Sequence, residues 1–468
     1  MSKNNSEEKI PNGFVRGFRK FSLNIHKGID KSIFVILILV VTAAAIIVRY
    51  ISAPFPTNDL VGIIINGWMK GIENVGFSNF YKVDADYSPL YLFMIALFTK
   101  LPKGELVTIN NYTFYLNDMY YIKSVFFLLD LLNAIAIGLI VRHISRNNTL
   151  SLIAYMLFLI LPVQFMNSAL WGNCDSMYFF CFIYALLFVL KKKDWAVWFM
   201  FGLAMSLKLQ AVFILPFLFY LVFSRRLKFY PIIFAPIAVL LSFVPAYICG
   251  ASFVEPFTFF SKQIGGYSQL TLGCANFWKF FGVRNMDKVD SPLNKASPYI
   301  GLLMIFVFTA IVYLRKIKLT DENIVYTATF LIGLVPFFLP HMHERYFYSL
   351  DVLVVIYALI KKKRYYLIPL MQLSSFIAYY HYLSGFSIYF IDVFGEDSVS
   401  IAAIINAFVL TMVFNDLMKL EHLSRKEALE AIEEEKKRLD TIKVETEEER
   451  KERISKESLL DGIDTTTK

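Results

Sequence analysis

Leu-Pro-His-Met-His-Glu-Arg-Tyr-Phe-Tyr, residues 339–348, stands between two long apolar runs at 323–340 and 346–360. Charge beside hydrocarbon is costly and is usually kept for a function. An arginine fork suits phosphate or carboxylate, and histidine titrates near neutral pH. The alternative is a juxtamembrane loop whose polar residues only mark the water interface. The ionisable residues of this stretch are His341, His343, Glu344 and Arg345.

Composition decides the broad class of the protein. Of 468 residues, 57% are hydrophobic and 18% are charged, and apolar runs recur along nearly the whole chain. Such repetition predicts an all-α polytopic membrane protein. The net charge of +9 fits loops that face an anionic leaflet rather than nucleic-acid binding. The four cysteines lack metal-ligand spacing; a disulfide between Cys249 and Cys274 is conceivable, but free thiols are expected.

The two ends of the chain differ from its middle. Residues 1–31 are basic and carry phenylalanines at helical spacing, which predicts an amphipathic arm on the cytoplasmic membrane surface. Residues 32–418 hold the apolar runs and form the predicted transmembrane domain. Residues 419–468 are rich in Glu and Lys with a near-heptad apolar stripe. They predict a cytoplasmic helix that either binds a partner or is simply solvated.

The basic loops set the predicted topology. Placing all of them inside satisfies the positive-inside rule only if two segments do not cross as single spans. The piece 88–101 is too short, since 14 residues of helix reach about 21 Å against a core of about 30 Å. The piece 195–223 must be a hairpin that turns at Lys208. The result is a bundle of about 11–13 spans with a large first external loop at 52–118 and both termini inside. The basic loops are 142–146, 191–193, 225–228, 315–318 and 361–364.

Under this topology the polar clusters converge on the outer side. A helix broken at membrane depth is tolerated where it lines a cavity, so we expect one outward-facing polar site, roofed by the loop 251–296. Each member also has a structural explanation: Asp59 and Asp86 as turn residues, Asp175 as a helix cap and Lys208 as a snorkelling side chain. The candidates are Asp59, Asp84, Asp86, Asn173, Asp175, Lys208, Gln210, Tyr267, Asn276, and the ionisable residues of 341–345.

Five motifs in order resemble the GT-C superfamily of membrane glycosyltransferases, and most nearly bacterial relatives of the second mannosyltransferase of GPI-anchor assembly. The resemblance covers roughly residues 32–390, and five ordered motifs are fairly specific although each is loose. Bacterial relatives often show Gln at the position of Asn173. The motifs are Asn58-Asp59, Asp86-Tyr-Ser-Pro-Leu-Tyr91, Trp171-Gly-Asn-Cys-Asp-Ser176, Phe201-Gly-Leu-Ala-Met-Ser-Leu-Lys-Leu-Gln210 and Pro340-His-Met-His-Glu-Arg-Tyr346.

The resemblance implies a polyprenyl-phosphate sugar donor, inversion at the anomeric centre and an active site on the extracytoplasmic face of the cell membrane. It places the catalytic base at Asp59, where the superfamily carries its acidic residue. The sugar would be a hexose, as in a mannosyltransferase, and the acceptor a glycolipid, a cell-wall polymer or a protein. No cofactor is expected, although Asp175 and Asp86 could hold a divalent ion if one is used.

Residue chemistry assigns the other candidates. A departing lipid phosphate needs cations and hydrogen-bond donors, whereas an acceptor sugar needs groups that bind hydroxyls. The expected phosphate group is Lys208, His341, His343, Glu344 and Arg345, and the expected acceptor or sugar group is Asp84, Asp86, Asn173, Asp175, Gln210, Tyr267 and Asn276. A lipid-linked sugar flippase or transporter is the alternative. It should place charges near the bilayer midplane and show inverted repeats.

Overall fold

The computed structural model describes residues 31–109, 111–263, 269–281, 292–384, 393–395 and 397–421. The predicted basic arm and nearly all of the charged tail lie outside the described residues. The chain divides into two compact units. The larger comprises Met1–Leu314 and Leu319–Lys419, and the smaller comprises Arg315–Lys318 and Leu420–Lys468. All helices and strands named below belong to the larger unit.

The α-helices of the described residues are α1 (Lys31–Ser52), α2 (Lys70–Val75), α3 (Pro89–Phe98), α4 (Leu116–Ser145), α5 (Asn148–Ile160), α6 (Pro162–Phe165), α7 (Asp175–Leu190), α8 (Asp194–Leu207), α9 (Leu215–Phe223), α10 (Phe234–Ile248), α11 (Thr258–Gln263), α12 (Pro292–Leu314), α13 (Asp321–Phe338), α14 (Tyr348–Lys361), α15 (Leu367–Ser384) and α16 (Asp397–Met418). Two π-helices lie at Asn58–Met69 and Met166–Trp171, and 3-10 helices lie at Phe77–Lys82, Leu209–Ile214, Tyr230–Ile233, Glu255–Phe257 and Phe277–Phe281.

The segment 52–118, predicted to be the first external loop, is a folded subdomain rather than an extended connection. Its helices and an antiparallel hairpin of β1 (Leu106–Ile109) and β2 (Tyr112–Tyr115) pack in a hydrophobic cluster that also includes Phe126 of α4 and Ala246 of α10. Helix α3 begins at a Ser88 cap with proline at its first position, which favours helix initiation. Just beyond its end, Lys103 binds Asp118 in the first turn of α4 at 3.2 Å. This ion pair places the end of α3 beside the start of α4, and that α3 does not cross the membrane stays a prediction.

Lys208 interrupts the helical conformation between α8 and the following 3-10 helix, because its backbone is extended, with φ −155° and ψ 136°. The indole of Trp198, near the start of α8, donates to the Lys228 carbonyl at 2.8 Å, just after α9. The two arms therefore start and finish together, as in the predicted hairpin. Gly202 allows α8 to pack closely on α10, since a Cβ there would lie 2.1 Å from the Ala235 carbonyl.

The basic loops and the polar candidate residues lie at different ends of the helices. At one end Asp321, which opens α13, lies 3.0 Å from His143 and 3.9 Å from Arg226. Helices α7, α8, α13 and α14 connect this end to the region of Asp175, Lys208 and residues 339–347. The centre of the bundle is well packed, since α13 is buried from Asn323 to Phe338. The basic loops at 142–146, 191–193, 225–228 and 361–364 therefore lie at the end of the bundle opposite the polar cluster.

The all-helical, polytopic membrane fold is confirmed. Among the described residues, five helical segments are long and apolar enough to cross a membrane: Ser32–Ser52, Leu116–Ser145, Tyr230–Ile248, Pro292–Leu314 and Asp397–Met418. A sixth candidate is the pair Asn148–Ile160 and Pro162–Trp171, bent by 48°. Other apolar helices are shorter, and the total of 11–13 spans stays a prediction.

Candidate active site

A buried carboxylate and two cations form the centre of the site. Asp175, the first residue of α7, is fully buried. Its Oδ1 accepts a hydrogen bond of 2.5 Å from the Lys208 ammonium, and its Oδ2 accepts one of 2.9 Å from the Asn167 amide. The extended backbone at Lys208 turns this side chain from the helix end toward Asp175. Because an unpaired buried charge is costly, each ion stabilises the other.

Arg345 joins the same centre from the opposite wall. Its Nε lies 3.7 Å from Asp175 Oδ2, and its Nη1 donates to Glu344 Oε1 at 2.7 Å. The guanidinium lies 5.3 Å from the ring centroid of Trp171, a cation–π contact. Within the described residues, the buried Nε has no hydrogen-bond partner. Since buried polar groups are nearly always paired, this N–H is a position for an anion or a water molecule.

Backbone pairing holds the 341–344 stretch in place. Residues 270–272 run beside it: His341 N donates to the Leu270 carbonyl, Leu272 N to the Met342 carbonyl and Glu344 N to the Leu272 carbonyl, at 3.1, 2.9 and 3.2 Å. His341 takes a positive φ of 60°, and its imidazole lies 2.6 Å from the Gln269 carbonyl. The histidine therefore faces the supporting loop rather than the Asp175 centre.

Electrostatic pairing sets the charges of the neighbouring residues. The His343 imidazole lies 3.6 Å from Glu344 Oε2. Burial lowers the pKa of His343, and the Arg345 guanidinium lowers it further against the attraction of Glu344. Burial opposes the ionisation of Glu344, but the nearby His343 imidazole and the charge of Arg345 outweigh it, so the pKa of Glu344 falls below its ordinary value. Glu344 is therefore a counterion of Arg345 in this site.

Asp59 lies in the first turn of a π-helix, a form often found at functional sites. Thr57 caps this helix by accepting from Leu60 N at 3.3 Å. The Asp59 carboxylate accepts from the Trp171 indole at 2.8 Å and from the Tyr382 hydroxyl at 3.2 Å. One donor therefore binds each carboxylate oxygen and fixes the plane of the group. The Trp171 ring stacks on Tyr382 and contacts both Asp59, through its N–H, and Arg345, over its face.

Asp86 belongs to the same electrostatic environment, although its side chain is exposed to the cleft. Partial desolvation raises its pKa, the positive charges of Lys208 and Arg345 oppose this, and the negative charge of Asp59 adds to it. Gln263 fixes the segment by donating to the Asp86 carbonyl at 2.6 Å. Asp86 is therefore a further carboxylate near the two cations, beside Asp175 and Glu344.

Asp84 and Asn276 lie away from the centre. The Asp84 side chain is 96% exposed and binds Lys262 at 2.7 Å, and this ion pair lowers its pKa. Asn276 is fully buried and donates to the Leu339 carbonyl at 3.2 Å, supporting the start of the 339–347 stretch. The structure does not bring either residue to Asp175. Tyr267 lies outside the described residues.

Gln210 and Asn173 bring hydroxyl-binding groups close to the cations. The Gln210 amide donates to the Tyr346 hydroxyl, and the Tyr346 ring lies 5.9 Å from the Lys208 ammonium. The buried oxygens Gln210 Oε1 and Asn173 Oδ1 lack a hydrogen-bond partner in the described part of the chain. Each can accept a hydrogen bond from a hydroxyl group.

Trp171, Tyr382 and Asn167 were not among the candidates predicted from sequence. Trp171 stands inside a quoted motif, so its position gave a signal. Tyr382 and Asn167 lie within apolar helices, and only the folded chain brings them to Asp59 and Asp175. Among the described residues, no group of three or more His, Cys, Asp or Glu side chains is arranged to hold a metal ion.

Comparison with known proteins identifies the family. No curated protein matches the chain. The model of glycosyltransferase family 87 matches residues 87–343, more than half of the chain, and includes Asp175, Lys208 and His343. This agrees with the resemblance found in the sequence motifs. The chain belongs to glycosyltransferase family 87, a family of GT-C-type membrane glycosyltransferases.

Proposed function

We propose that this glycosyltransferase moves a hexose, mannose-like in kind, from a polyprenyl-phosphate donor to an extracytoplasmic acceptor with inversion. The acceptor is a glycolipid, a cell-wall polymer or a protein. One observation carries the proposal: Lys208 and Arg345 meet at one buried carboxylate, while the Trp171 ring links Arg345 to Asp59. Cations for a leaving phosphate and a carboxylate for an attacking hydroxyl thus meet at one ring, Arg345 over its face and Asp59 at its N–H edge.

The cationic side is suited to a lipid phosphate. When the bond between the anomeric carbon and the phosphate oxygen breaks, its electron pair goes to the phosphate, and nearby cations stabilise that charge. Lys208 and Arg345 supply two positive charges, and the unpaired Arg345 Nε is a free donor among the described residues. His343 flanks this group as a further candidate donor, with Glu344 as counterion, whereas the His341 imidazole is directed at the Gln269 carbonyl and is not assigned to the phosphate.

An apolar groove next to the cations fits a polyprenyl chain. The groove has a cavity volume of about 720 Å³ and lies among α9, α12 and α13. It begins at Val212 and Leu339, which adjoin Gln210 and the 341–345 stretch in sequence, and extends to Phe223 and Tyr313 near the basic loops. A long hydrocarbon chain would gain free energy by burial there. The groove therefore supports a lipid-linked donor over a water-soluble nucleotide sugar.

Asp59 is the proposed general base. The acceptor hydroxyl gives its proton to the Asp59 carboxylate as its oxygen forms a bond to the anomeric carbon, and the lipid phosphate leaves from the other face. A single displacement of this kind inverts the anomeric centre. The bonds from Trp171 and Tyr382 hold the carboxylate in one orientation. The Trp171 ring contacts both Asp59 and Arg345, which supports placing the base near the phosphate-binding cations.

The acceptor and sugar hydroxyls are assigned to the remaining polar groups. Gln210 and Asn173 offer unpaired oxygens among the described residues, and Asp86 lies near both Asp59 and the cations. Asp175 is occupied by Lys208 and Asn167, so we assign it to holding Lys208. Asp84 and Tyr267 are kept as candidate outer contacts of a larger acceptor, whereas the buried Asn276 is assigned to holding the Leu339 carbonyl.

The extracytoplasmic location rests on the two ends of the bundle. Basic loops favour the cytoplasmic side, and the polar cluster lies at the opposite ends of α7, α8, α13 and α14. With this orientation both termini are cytoplasmic, and the charged tail is available to a cytoplasmic partner.

Purified protein offered polyprenyl-phosphate mannose, glucose and galactose in turn tests the proposal. We expect transfer from one of them, dependent on Arg345, with the product anomer inverted by proton NMR. Transfer from a nucleotide sugar alone would contradict the proposed donor, and a retained anomer would contradict the single displacement.

A further inference from the structure

Lys123 is a charged residue within the apolar helix α4. No part of the proposed chemistry uses this lysine. It lies two turns into α4 and is fully buried. Its ammonium lies 2.8 Å from the Ala53 carbonyl oxygen, 2.9 Å from that of Phe55, 2.8 Å from that of Ala169 and 3.0 Å from that of Leu170. Three N–H groups thus serve four backbone oxygens, and no carboxylate pairs with this lysine in the described part of the chain.

These carbonyls belong to two helix ends. Ala53 and Phe55 follow α1 and precede the π-helix that carries Asp59. Ala169 and Leu170 end the second π-helix, whose last residue is Trp171. Terminal carbonyls of a helix have no partner within it. Lys123 therefore supplies the donors for both segments at one point.

The segment before Asp59 and the segment around Trp171 contact each other directly at this point. Thr57 Oγ1 donates to the Trp171 carbonyl at 2.9 Å. Gly172 has a φ of 72°, and a Cβ there would lie 2.7 Å from Leu60 and 3.0 Å from Cε of Lys123. The loop after Trp171 thus packs directly on the lysine side chain. The Asp59 segment and the Trp171 segment are fixed to each other on one side by this ammonium.

We infer that Lys123 is a positioning residue for the catalytic base. By holding the backbone before Asp59 and before Trp171, it sets the hydrogen bond from the indole to the carboxylate. This inference rests on the proposed function for Asp59. A misplacement of about 1 Å far from the chemistry can lower a rate by about 100-fold, so loss of the ammonium should affect turnover more than binding of the sugar donor.

The kinetic test compares Lys123→Met and Lys123→Ala in the full-length protein. We expect kcat to fall by about 100-fold while KM for the sugar donor changes by less than about 3-fold. n-Propylammonium has the atoms that Lys123→Ala removes, so it should restore part of kcat in that variant, whereas tetramethylammonium at equal ionic strength should not. The matched control is Lys103→Met, which changes a lysine of the 52–118 subdomain. This variant should keep its activity.

An NMR measurement tests the geometry without relying on the reaction. In ¹⁵N-labelled protein, the indole N–H resonance of Trp171, assigned with Trp171→Phe, reports its hydrogen bond. It should shift in Lys123→Met and in Asp59→Asn, but not in Lys103→Met. An unshifted resonance or an unchanged kcat would overturn the inference. So would a variant that loses folding and sugar-donor binding together and is not rescued by n-propylammonium. A shifted resonance in a protein that transfers no sugar would instead remove only the proposed function.

Discussion

Trp171 and Asp59 are 112 positions apart in the chain, yet the indole nitrogen lies 2.8 Å from Oδ2 of the carboxylate. The same indole ring lies beneath the Arg345 guanidinium. One aromatic side chain therefore fixes the spacing between the proposed base and a cation proposed to bind the leaving phosphate. The predictions that concern the reaction depend on this spacing.

Asp59→Asn keeps the size of the side chain but cannot accept a proton. We expect turnover to fall by about 100- to 10,000-fold, with binding of the sugar donor preserved. Both quantities are measured on the purified variant with radiolabelled sugar donor. Glu73→Gln, which changes another acidic residue of the 52–118 subdomain, is the control and should leave turnover unchanged.

Asp86 is the rival base, since it lies near the same cations and is exposed to the cleft. We expect Asp86→Asn mainly to raise KM for the acceptor. If the Asp59→Asn variant is active while the Asp86→Asn variant is folded but inactive, Asp86 rather than Asp59 is the general base.

Arg345→Ala should lose most turnover, and Arg345→Lys should recover only part of it. A lysine keeps the charge but not the planar fork that reaches Glu344 and Asp175 together. Steady-state kinetics with a saturating acceptor measure the effect. Arg142→Ala, an exposed arginine at the basic end, is the control. Full turnover in Arg345→Ala excludes the residue from the site.

Lys208→Met leaves the buried Asp175 carboxylate without its ammonium. Breaking a buried ion pair costs about 3–5 kcal/mol, and the neighbouring Arg345 reduces this cost here. We therefore expect a lower thermal midpoint in detergent for Lys208→Met. The double variant Lys208→Met/Asp175→Asn should be less destabilised than the sum of the two single variants, because neither charge is then left alone. Strictly additive changes would show that the two side chains are not coupled.

Ala310→Trp places a bulky ring in the apolar groove, which Ala310 lines. Excluding two methylene groups of a bound chain removes about 1.6 kcal/mol, so KM for a long-chain polyprenyl-phosphate sugar should rise by about 10-fold. A sugar donor with a short chain should be unaffected. Leu303→Trp, on the exposed face of the same helix, is the control. Equal effects of Ala310→Trp on both sugar donors would place the lipid elsewhere.

Cysteine labelling tests the orientation of the bundle. In a Cys249→Ser background, which removes the only native cysteine among the described residues that is not buried, Lys70→Cys and Lys262→Cys should react with an impermeant maleimide in intact cells. Lys192→Cys should react only after the cells are opened. The reverse pattern would put the site on the cytoplasmic side.

Local chemistry explains why several features were predictable from sequence. The short apolar piece at α3 could not cross a membrane, and a lysine inside a short apolar segment predicted the break at Lys208. Charged residues beside hydrocarbon drew attention to the 341–345 stretch, and the functional roles of Arg345 and Asp175 stay predictions. These arguments need only segment length and the cost of burying charge.

Other features depend on which segments meet in the folded chain. Nothing in the local sequence of Lys123 names the four carbonyls that it binds, since they come from two distant segments. Tyr382 ends an apolar helix whose pattern gives no sign of Asp59. Conversely, Asn276 has a residue type suited to sugars, but the fold uses its amide to hold the Leu339 backbone. Contacts between residues that are far apart in the sequence therefore could not be predicted from one sequence.

The pairing of Lys208 and Arg345 with internal carboxylates has a consequence for the end of the catalytic cycle. Asp175 and Glu344 already contact the two cations without a ligand. When the spent lipid phosphate departs, these carboxylates remain as counterions, so no bare cation is left in a region of low dielectric. Release becomes an exchange of one anion for another. On this basis we expect weak product inhibition, and an enzyme that can dwell empty in the bilayer between substrates without losing its structure.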